Sequence, residues 1–516
     1  MVDSVRKWTL DGVLDDHCRS YPKRVAVADG EVRYTFSQLR ERVDRLANAL
    51  DDAGVKAGDR ILWLGQNSHR VLEGLLVAAR LGAMFCPGNW RQSTAEVSAL
   101  IDDIDARVVI WQQEEVGEIV AAARQAAKPS QALWLQHDAD GAGSYEAFLA
   151  TGTAGTRARE TDPADAVLVI YTAAFEGRPN GAMLSQIAIL SQNLVLAPTN
   201  NVSNETVWLS TGPLFHLGTM MFAMTTFHMG GKNVFIRRTD AQSLCEIVHR
   251  ERCTKSWIVS KTMDEMIELN RQRSYDLTCL LSPPYRSEWD AMVTVERPAA
   301  GVKSPGYGQT EVMGLATYPF YGPGGIGIFG RCSPLTQLAI LEDSGTELPQ
   351  GEVGEIVIRG PIVMNGYWRR PDINAYRRRS GWHHTNDLGR RESDGTLTFI
   401  GPKTQMIKSG VENIYPAEVE ACLRQHAAVA DCAIIGVPDA RWIQTVKAIV
   451  KLKPGSSASA KEIIDHCRER IASYKKPTHV EFTDAIPRNS MGSIEYAVLD
   501  AAYGGGNYPG MSTRTY

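Results

Sequence analysis

Between Tyr171 and Gln186 the chain reads YTAAFEGRPNGAMLSQ, directly after the apolar run Ala166 to Ile170. Gly177, Pro179 and Gly181 punctuate it. Glycine lets backbone N–H groups close around an anion, and a helix N-terminus facing the same point adds a favourable dipole. A strand, a glycine loop and a helix start in succession therefore have the chemistry of a phosphate cradle. The same residues would also suit an ordinary strand-to-helix turn, since short glycine motifs recur by accident. Three other places carry groups that could work beside such a ligand: His216 behind a short strand, Tyr307 to Glu311 in GYGQTE, and Asp387 in GWHHTNDLG. A carboxylate can accept from both hydroxyls of a diol. Taken alone, a histidine after a strand is commonly a hydrogen-bonded core residue, and a loop glutamate is commonly just solvated.

The elements that must hold these residues follow from periodicity. Val25 to Tyr34 alternate as two short strands about a turn at Asp29-Gly30, and Leu39, Val43, Leu46 and Leu50 then fall on one helical face. Ile61 to Gly65 reads as a strand, Asn67-Ser68 as a cap, the stretch to about Leu81 as a helix and AMFCPG as the next strand, a βαβ unit. Further strands are predicted at Arg107 to Trp111, Leu133 to Gln136, Val207 to Ser210 and Thr254 to Val259, with helices between them. The alternation implies doubly wound, largely parallel sheets, which bind ligands at the carboxyl ends of their strands. From Gln337 to Ile362 the period falls to two, which predicts a small antiparallel, barrel-like β unit. The fold class read from these periods is α/β, doubly wound sheets followed by a small β unit, and the glycine-rich end of the chain, from about residue 503, reads as a flexible tail.

Composition narrows the function. The chain has 516 residues, 44% of them hydrophobic, enough for two or more cores. Lysine and arginine total 55 against 59 acidic residues, a net charge of −4 with no long like-charge block, so nothing points to nucleic acid or an anionic membrane. The nine cysteines are scattered, without a Cys-x-x-Cys pair or clustered histidines, as expected of a reduced cytoplasmic protein without structural zinc. The N-terminus lacks the apolar core of a signal peptide, and no run approaches the roughly 20 apolar residues that span a bilayer.

These motifs, in collinear order over nearly the whole chain, resemble those of the adenylate-forming superfamily: acyl-CoA synthetases, peptide-synthetase adenylation domains and luciferases. Its loop pattern is Tyr-Thr-Ser-Gly-Thr-Thr-Gly-x-Pro-Lys-Gly, and Tyr171, Thr172, Gly177, Pro179 and Gly181 keep that frame. YTFSQL at Tyr34 to Leu39, Pro213-Leu214-Phe215-His216 with Gly218, Gly354 to Ile356, Gly366 to Trp368, SGVENIYPAEVE from Ser409 and SYKKP at Ser473 to Pro477 also match. The resemblance implies that Tyr307 stacks on adenine beside Gly308, Thr310 contacts the AMP phosphate, Glu311 helps hold magnesium where ATP is used, and Asp387 takes the ribose hydroxyls. His216 and its aromatic neighbour would border the acyl pocket. The resemblance further implies a large N-terminal domain over residues 1–402 and a small α+β lid over 403–516, in which Ser409, Gly410, Glu412, Asn413 and Tyr415 would line a pantetheine channel once the lid rotates.

Four nucleotide-handling features depart together from that pattern, the loop lysine, the adenine turn, the hinge arginine and the terminal lysine, and some of their neighbours change with them. In the loop, Ala173, Ala174, Phe175 and Glu176 replace Ser-Gly-Thr-Thr, and Asn180 replaces the lysine. Pro283, Pro284 and Tyr285 stand where relatives place an adenine-facing Gly-Ala-x-Pro turn. Pro402 and Thr404 replace the hinge arginine and the charged hinge residue, Asn386 replaces a glycine, and Ser493 replaces the terminal lysine that steadies the transferring phosphoryl group. Losing one such electrostatic contact lowers a rate on the order of a hundredfold. The expectation is an acyl-CoA synthetase-type enzyme that handles an acyl group with CoA or another pantetheine thiol, its adenylation half-reaction impaired and its use of ATP and magnesium in question. An ATP-independent acyltransferase that moves an acyl group from acyl-CoA to a thiol or amine is the alternative, as is a non-catalytic acyl-CoA or adenylate-binding protein. The partners expected are a small carboxylate or acyl-CoA, with an acyl carrier protein and a homodimer left open.

Overall fold

The computed structural model describes residues 7–506 except 129, 158, 173–178, 282–286, 293–305, 343, 404–405, 411 and 489–493. Ala173, Glu176, Gly177, Pro283, Pro284, Tyr285, Thr404 and Ser493 therefore lie outside the described residues.

Two wound sheets make up most of the large domain. The first orders its strands Gly366–Tyr367, Asn180–Ser185, Ala166–Thr172, Met84–Pro87, Arg60–Leu64, Val108–Trp111, Leu133–Gln136. From Ala166–Thr172 to Leu133–Gln136 the pairing is parallel. Helix His69–Leu81 crosses between two of these strands, started by the Ser68 side chain accepting from the Arg70 N–H. The second sheet runs Lys255–Ser256, Val207–Ser210, Lys232–Phe235, Val25–Asp29, Val32–Thr35. Its expected strand over residues 254–259 shrinks to two residues, because helix Ser260–Leu269 begins directly afterwards. Helix Phe36–Asp52 carries a capping box from Thr35 and Gln38 and buries Leu39, Val43, Leu46 and Leu50.

The glycine loop does not lead into a helix. It leads into a second strand, Asn180–Ser185, which folds back antiparallel on Ala166–Thr172 with Thr172 opposite Asn180 and Ala166 opposite Ser185. Gly366–Tyr367 pairs with its other edge, so ladder hydrogen bonds on both sides hold this stretch extended. Helix Gln186–Thr199 starts only after Ser185 caps it, a full strand away from the loop. The helix dipole expected at the phosphate cradle is therefore absent among the described residues, and the strands that flank the loop are an antiparallel pair.

A four-stranded antiparallel sheet, Gln337–Leu341, Gly354–Arg359, His383–Arg391 and Leu397–Pro402, closes the large domain. The smaller domain pairs Glu412–Ile414, Ile407–Ser409, Ile443–Leu452 and Val429–Asp439, with His479–Phe482 alongside, under helices Pro416–Leu423 and Ala460–Arg470. It has its own core, including Ile407, Ile414, Val419, Leu423, Ile434, Val446 and Ile463. Among the described residues no helix is long and apolar enough to cross a membrane.

Candidate active site

Tyr307 and Glu311, four residues apart, lie close to Asp387, eighty positions further on. The Tyr307 hydroxyl donates to Asp387 Oδ2 at 2.8 Å, and Gln309 Nε2 donates to the same oxygen at 3.2 Å. Burial, with a smaller push from the Glu311 charge, raises the Asp387 carboxyl to about 6 against the pull of the Tyr307 hydrogen bond. Glu311 is 4% exposed and accepts from the Tyr367 hydroxyl at 2.7 Å. Thr310 opens the short 3-10 turn that carries it and is half-buried. Gly308 lies against the Gly314 carbonyl so closely that a Cβ would come within 1.7 Å of it. Phe399 stacks on the Tyr307 ring, centroids 5.6 Å apart, which leaves the ring almost wholly buried. Asn386 keeps the left-handed backbone of the glycine it replaces, at φ 62°, a region asparagine enters more readily than most residues. Pro402 sits across the ladder from Asp387.

Thr172 and Gly181 hold the base of the loop hairpin. The Thr172 hydroxyl donates to the Asn180 carbonyl at 3.3 Å, and a Cβ on Gly181 would meet Val169 at 2.8 Å and the Tyr171 ring at 3.1 Å. Asn180 is buried, and its Oδ1 accepts from Arg370 Nε at 3.0 Å. Arg370 reaches on to Asp103 at 2.8 Å, and the Tyr171 hydroxyl donates to the other oxygen of Asp103 at 2.7 Å. The asparagine that replaces the loop lysine is thus one link in a network that joins both arms of the hairpin. Arg370 stands two residues after the matching Gly366 to Trp368 but belongs to no motif, and nothing local in the sequence marks Asp103.

The lid brings Glu412 to His216 on the large domain. His216 Nε2 lies 3.2 Å from Glu412 Oε2, and Arg91 donates to Glu412 Oε1 at 3.3 Å. Burial would raise the Glu412 carboxyl, but His216 and Arg91 outweigh it and hold it below the ordinary range. The Phe215 ring packs against His216 with centroids 4.6 Å apart. Ser409 and Glu412 pair across a tight hairpin whose Gly410 has φ 60° and donates its N–H to the Trp442 carbonyl at 2.6 Å. Tyr415 caps the following helix, close enough to Asp387 and Glu311 that their charges add to burial in raising its phenol. Asn413 does not join the group. Strand alternation turns it to the exposed face, where Lys408 Nζ donates to its Oδ1 at 2.7 Å.

Glu355 was not singled out beyond its place in the Gly354 to Ile356 match, yet it gathers His384 Nδ1, Lys403 Nζ and Arg379, each at 3.0 Å, and the Asn386 N–H. The hinge-side Lys403 is thereby tied to the sheet that carries Asp387. Magnesium keeps much of its shell as water and phosphate and needs only one or two carboxylates, so Glu311 suits it as that single protein ligand.

The chain has relatives throughout its length. The sequence profile described as AMP-binding enzyme matches residues 14–368, and that described as AMP-binding enzyme C-terminal domain matches residues 418–492. Indoleacetate–CoA ligase of Aromatoleum aromaticum is 33% identical over 491 residues, covering 93% of this chain and 95% of that protein. Feruloyl-CoA synthase of an Amycolatopsis species is 35% identical over 488 residues, covering 92% and 95%. A fatty acyl CoA synthetase of Mycobacterium tuberculosis superposes with a TM-score of 0.68 at 27% identity over 96% of this chain and 98% of that one. The o-succinylbenzoate CoA synthetase of Bacillus subtilis, at 24% identity and a TM-score of 0.77 over 95% and 97%, shares the fold.

Proposed function

Because this chain belongs to the AMP-binding enzyme family and is of the acyl-CoA synthetase type, we propose that it joins an aromatic carboxylic acid to CoA through an acyl-adenylate, with adenylation as the slower half. In the first step a carboxylate oxygen would attack the α-phosphorus of ATP and expel pyrophosphate. In the second the CoA sulfur would attack the acyl carbon and expel AMP, the thiol proton leaving to solvent or a nearby base. The aromatic class is taken from the two relatives, named for indoleacetate and ferulate. Those relatives, named as a ligase and a synthase, lend no support to the doubt over ATP that the four departures raise.

The observation that supports this reading is the contact of Glu412 with His216, which would bring the lid's thiol-channel residues to the acyl pocket if His216 borders it as in the family pattern. Tyr307, Gly308, Thr310, Glu311 and Asp387, with Thr172 and Gly181 at the loop base, would hold the adenylate. Glu311 would hold magnesium with the phosphates. A slower first half is supported by Ser493, a neutral hydroxyl in the lysine position, and by the engagement of Lys475 and Lys476 elsewhere. Lys475 is committed to Glu96 and Glu418, and Lys476 Nζ donates to the Ser473 carbonyl at 2.8 Å.

Mass spectrometry of products from ATP, CoA and a panel of aromatic acids, with and without ATP, tests the proposal. ATP-dependent acyl-CoA and AMP are expected. Acyl transfer from acyl-CoA to a thiol or amine without ATP would replace it with the acyltransferase reading, and tight acyl-CoA binding without turnover would leave a binding protein.

A further inference from the structure

Lys475 lies 3% exposed between two carboxylates that come from different domains. Its Nζ donates to Glu418 Oε1 at 2.6 Å, on the lid helix Pro416–Leu423, and to Glu96 Oε1 at 2.8 Å, on the large-domain helix Thr94–Ile104. We propose that Glu96 and Lys475 are positioning residues for the thiol step, their buried ion pair holding the lid in the orientation that sets Glu412 against His216. The inference rests on the two-step ligase reading above.

The two oxygens of Glu96 have separate partners. Oε2 accepts from the Ser93 N–H at 2.9 Å as the return arm of a capping box, which leaves Oε1 for the lysine. Helix start and domain contact are thus built from one side chain. Around it the lid touches the same surface through neutral or outlying contacts: Asn89 Nδ2 to the Tyr474 hydroxyl at 3.4 Å, the Ser93 hydroxyl to the Arg470 carbonyl at 3.0 Å, and the partly exposed Arg91 to Glu412. A buried, charge-assisted bond outweighs contacts of those kinds.

The charge count explains why such a contact would hold the lid without locking it. Breaking a buried ion pair is strongly unfavourable when it strands one charge inside. Here nothing is stranded when the lid turns away. Glu418 stays with Lys475 inside the lid, and among the described residues its Oε2 is buried without a hydrogen-bond partner, so the lysine is the cation that answers its charge there. Glu96 keeps its cap at what would become surface. Docking adds a second carboxylate to a lysine that already has one, a gain that a rotating lid can surrender in every cycle.

Glu96→Gln is the decisive variant, because glutamine at this position preserves the capping box while removing the charge. With the full-length enzyme, conversion of a supplied aryl-adenylate and CoA to the thioester should slow by about tenfold, a typical coupling between two sites. Acid-dependent pyrophosphate exchange should stay within about twofold by the same reasoning. Ser93→Ala, which weakens the cap but keeps the charge, should not produce the split. Hydrogen exchange in segments 89–96 and 470–476 should rise in Glu96→Gln without any ligand. Equal losses in both half-reactions, or no loss in either, would overturn the proposal, and so would unchanged exchange. If the unaltered enzyme makes no adenylate, the ligase reading fails, while the exchange comparison still decides whether Glu96 holds the lid.

Discussion

The Tyr307 hydroxyl and the Asp387 carboxylate, eighty positions apart, share a hydrogen bond of 2.8 Å that ties the Tyr307 loop to strand His383–Arg391. Asp387 is also the group that burial has moved from 3.8 to about 6. An ionised carboxylate accepts from a diol, whereas a protonated one has lost an acceptor. AMP affinity by calorimetry should therefore weaken as pH falls through about 6, by up to about tenfold per pH unit. Folding stability runs the other way. A carboxyl whose folded value lies above its unfolded one favours the protonated form, so this contribution is fullest below about 4 and is lost as pH rises through about 6. Asp387→Asn should flatten the affinity profile, bind AMP weakly at every pH, and melt higher than the parent at pH 8.

At the loop base, the bond from Arg370 to Asn180 changes what restoring the family lysine would do. A lysine at 180 would be buried beside a guanidinium and would lose the acceptor that Arg370 uses. Asn180→Lys should destabilise the protein by about 3 kcal/mol, the range for an uncompensated buried charge, seen as a lower melting temperature. Asp103→Asn should raise the KM for ATP with little change in the thiol step, since it loosens both arms of the hairpin. A stable Asn180→Lys protein with tighter ATP binding would show that the side chain turns into the loop instead.

Much of the site could be read along the chain because its parts are local motifs. Tyr307, Glu311 and Asp387 were identifiable by type and order, and the wound sheets by strand and helix periods. The loop was misread as a strand-to-helix turn because AMLSQIAIL is apolar enough for either state. What settles it is Gly366–Tyr367, which arrives nearly two hundred residues later to pair the other edge of Asn180–Ser185. Asp103, Arg370 and Glu96 were invisible for a related reason. Each works through a partner distant in sequence, and a lone aspartate or arginine on an ordinary helix or turn carries no signal of that. Asn413 shows the converse, since a motif match does not say which face of a strand a residue takes.

Gly410 has φ 60°, and a Cβ there would lie 3.3 Å from the Trp442 ring. Alanine at 410 should cost about 1–2 kcal/mol in the lid hairpin and raise the KM for CoA several-fold, with pyrophosphate exchange unchanged. Gly410→Asn should be milder, because asparagine tolerates the left-handed backbone. Equal behaviour of the two variants would mean that crowding against Trp442, not backbone strain, governs this turn.

The position of the missing lysine gives the most direct test of which half-reaction is slow. When the carboxylate attacks the α-phosphorus, negative charge shifts toward the departing pyrophosphate and the bridging oxygens, and a cation there lowers the barrier in a way a serine hydroxyl cannot. Lys475 is held by Glu96 and Glu418 and cannot serve without abandoning both. Ser493→Lys should therefore raise acid-dependent pyrophosphate exchange on the order of a hundredfold while leaving the conversion of supplied aryl-adenylate to thioester unchanged. If exchange in the parent is already fast and the substitution adds nothing, another cation reaches the phosphates, and adenylation is not the slow half.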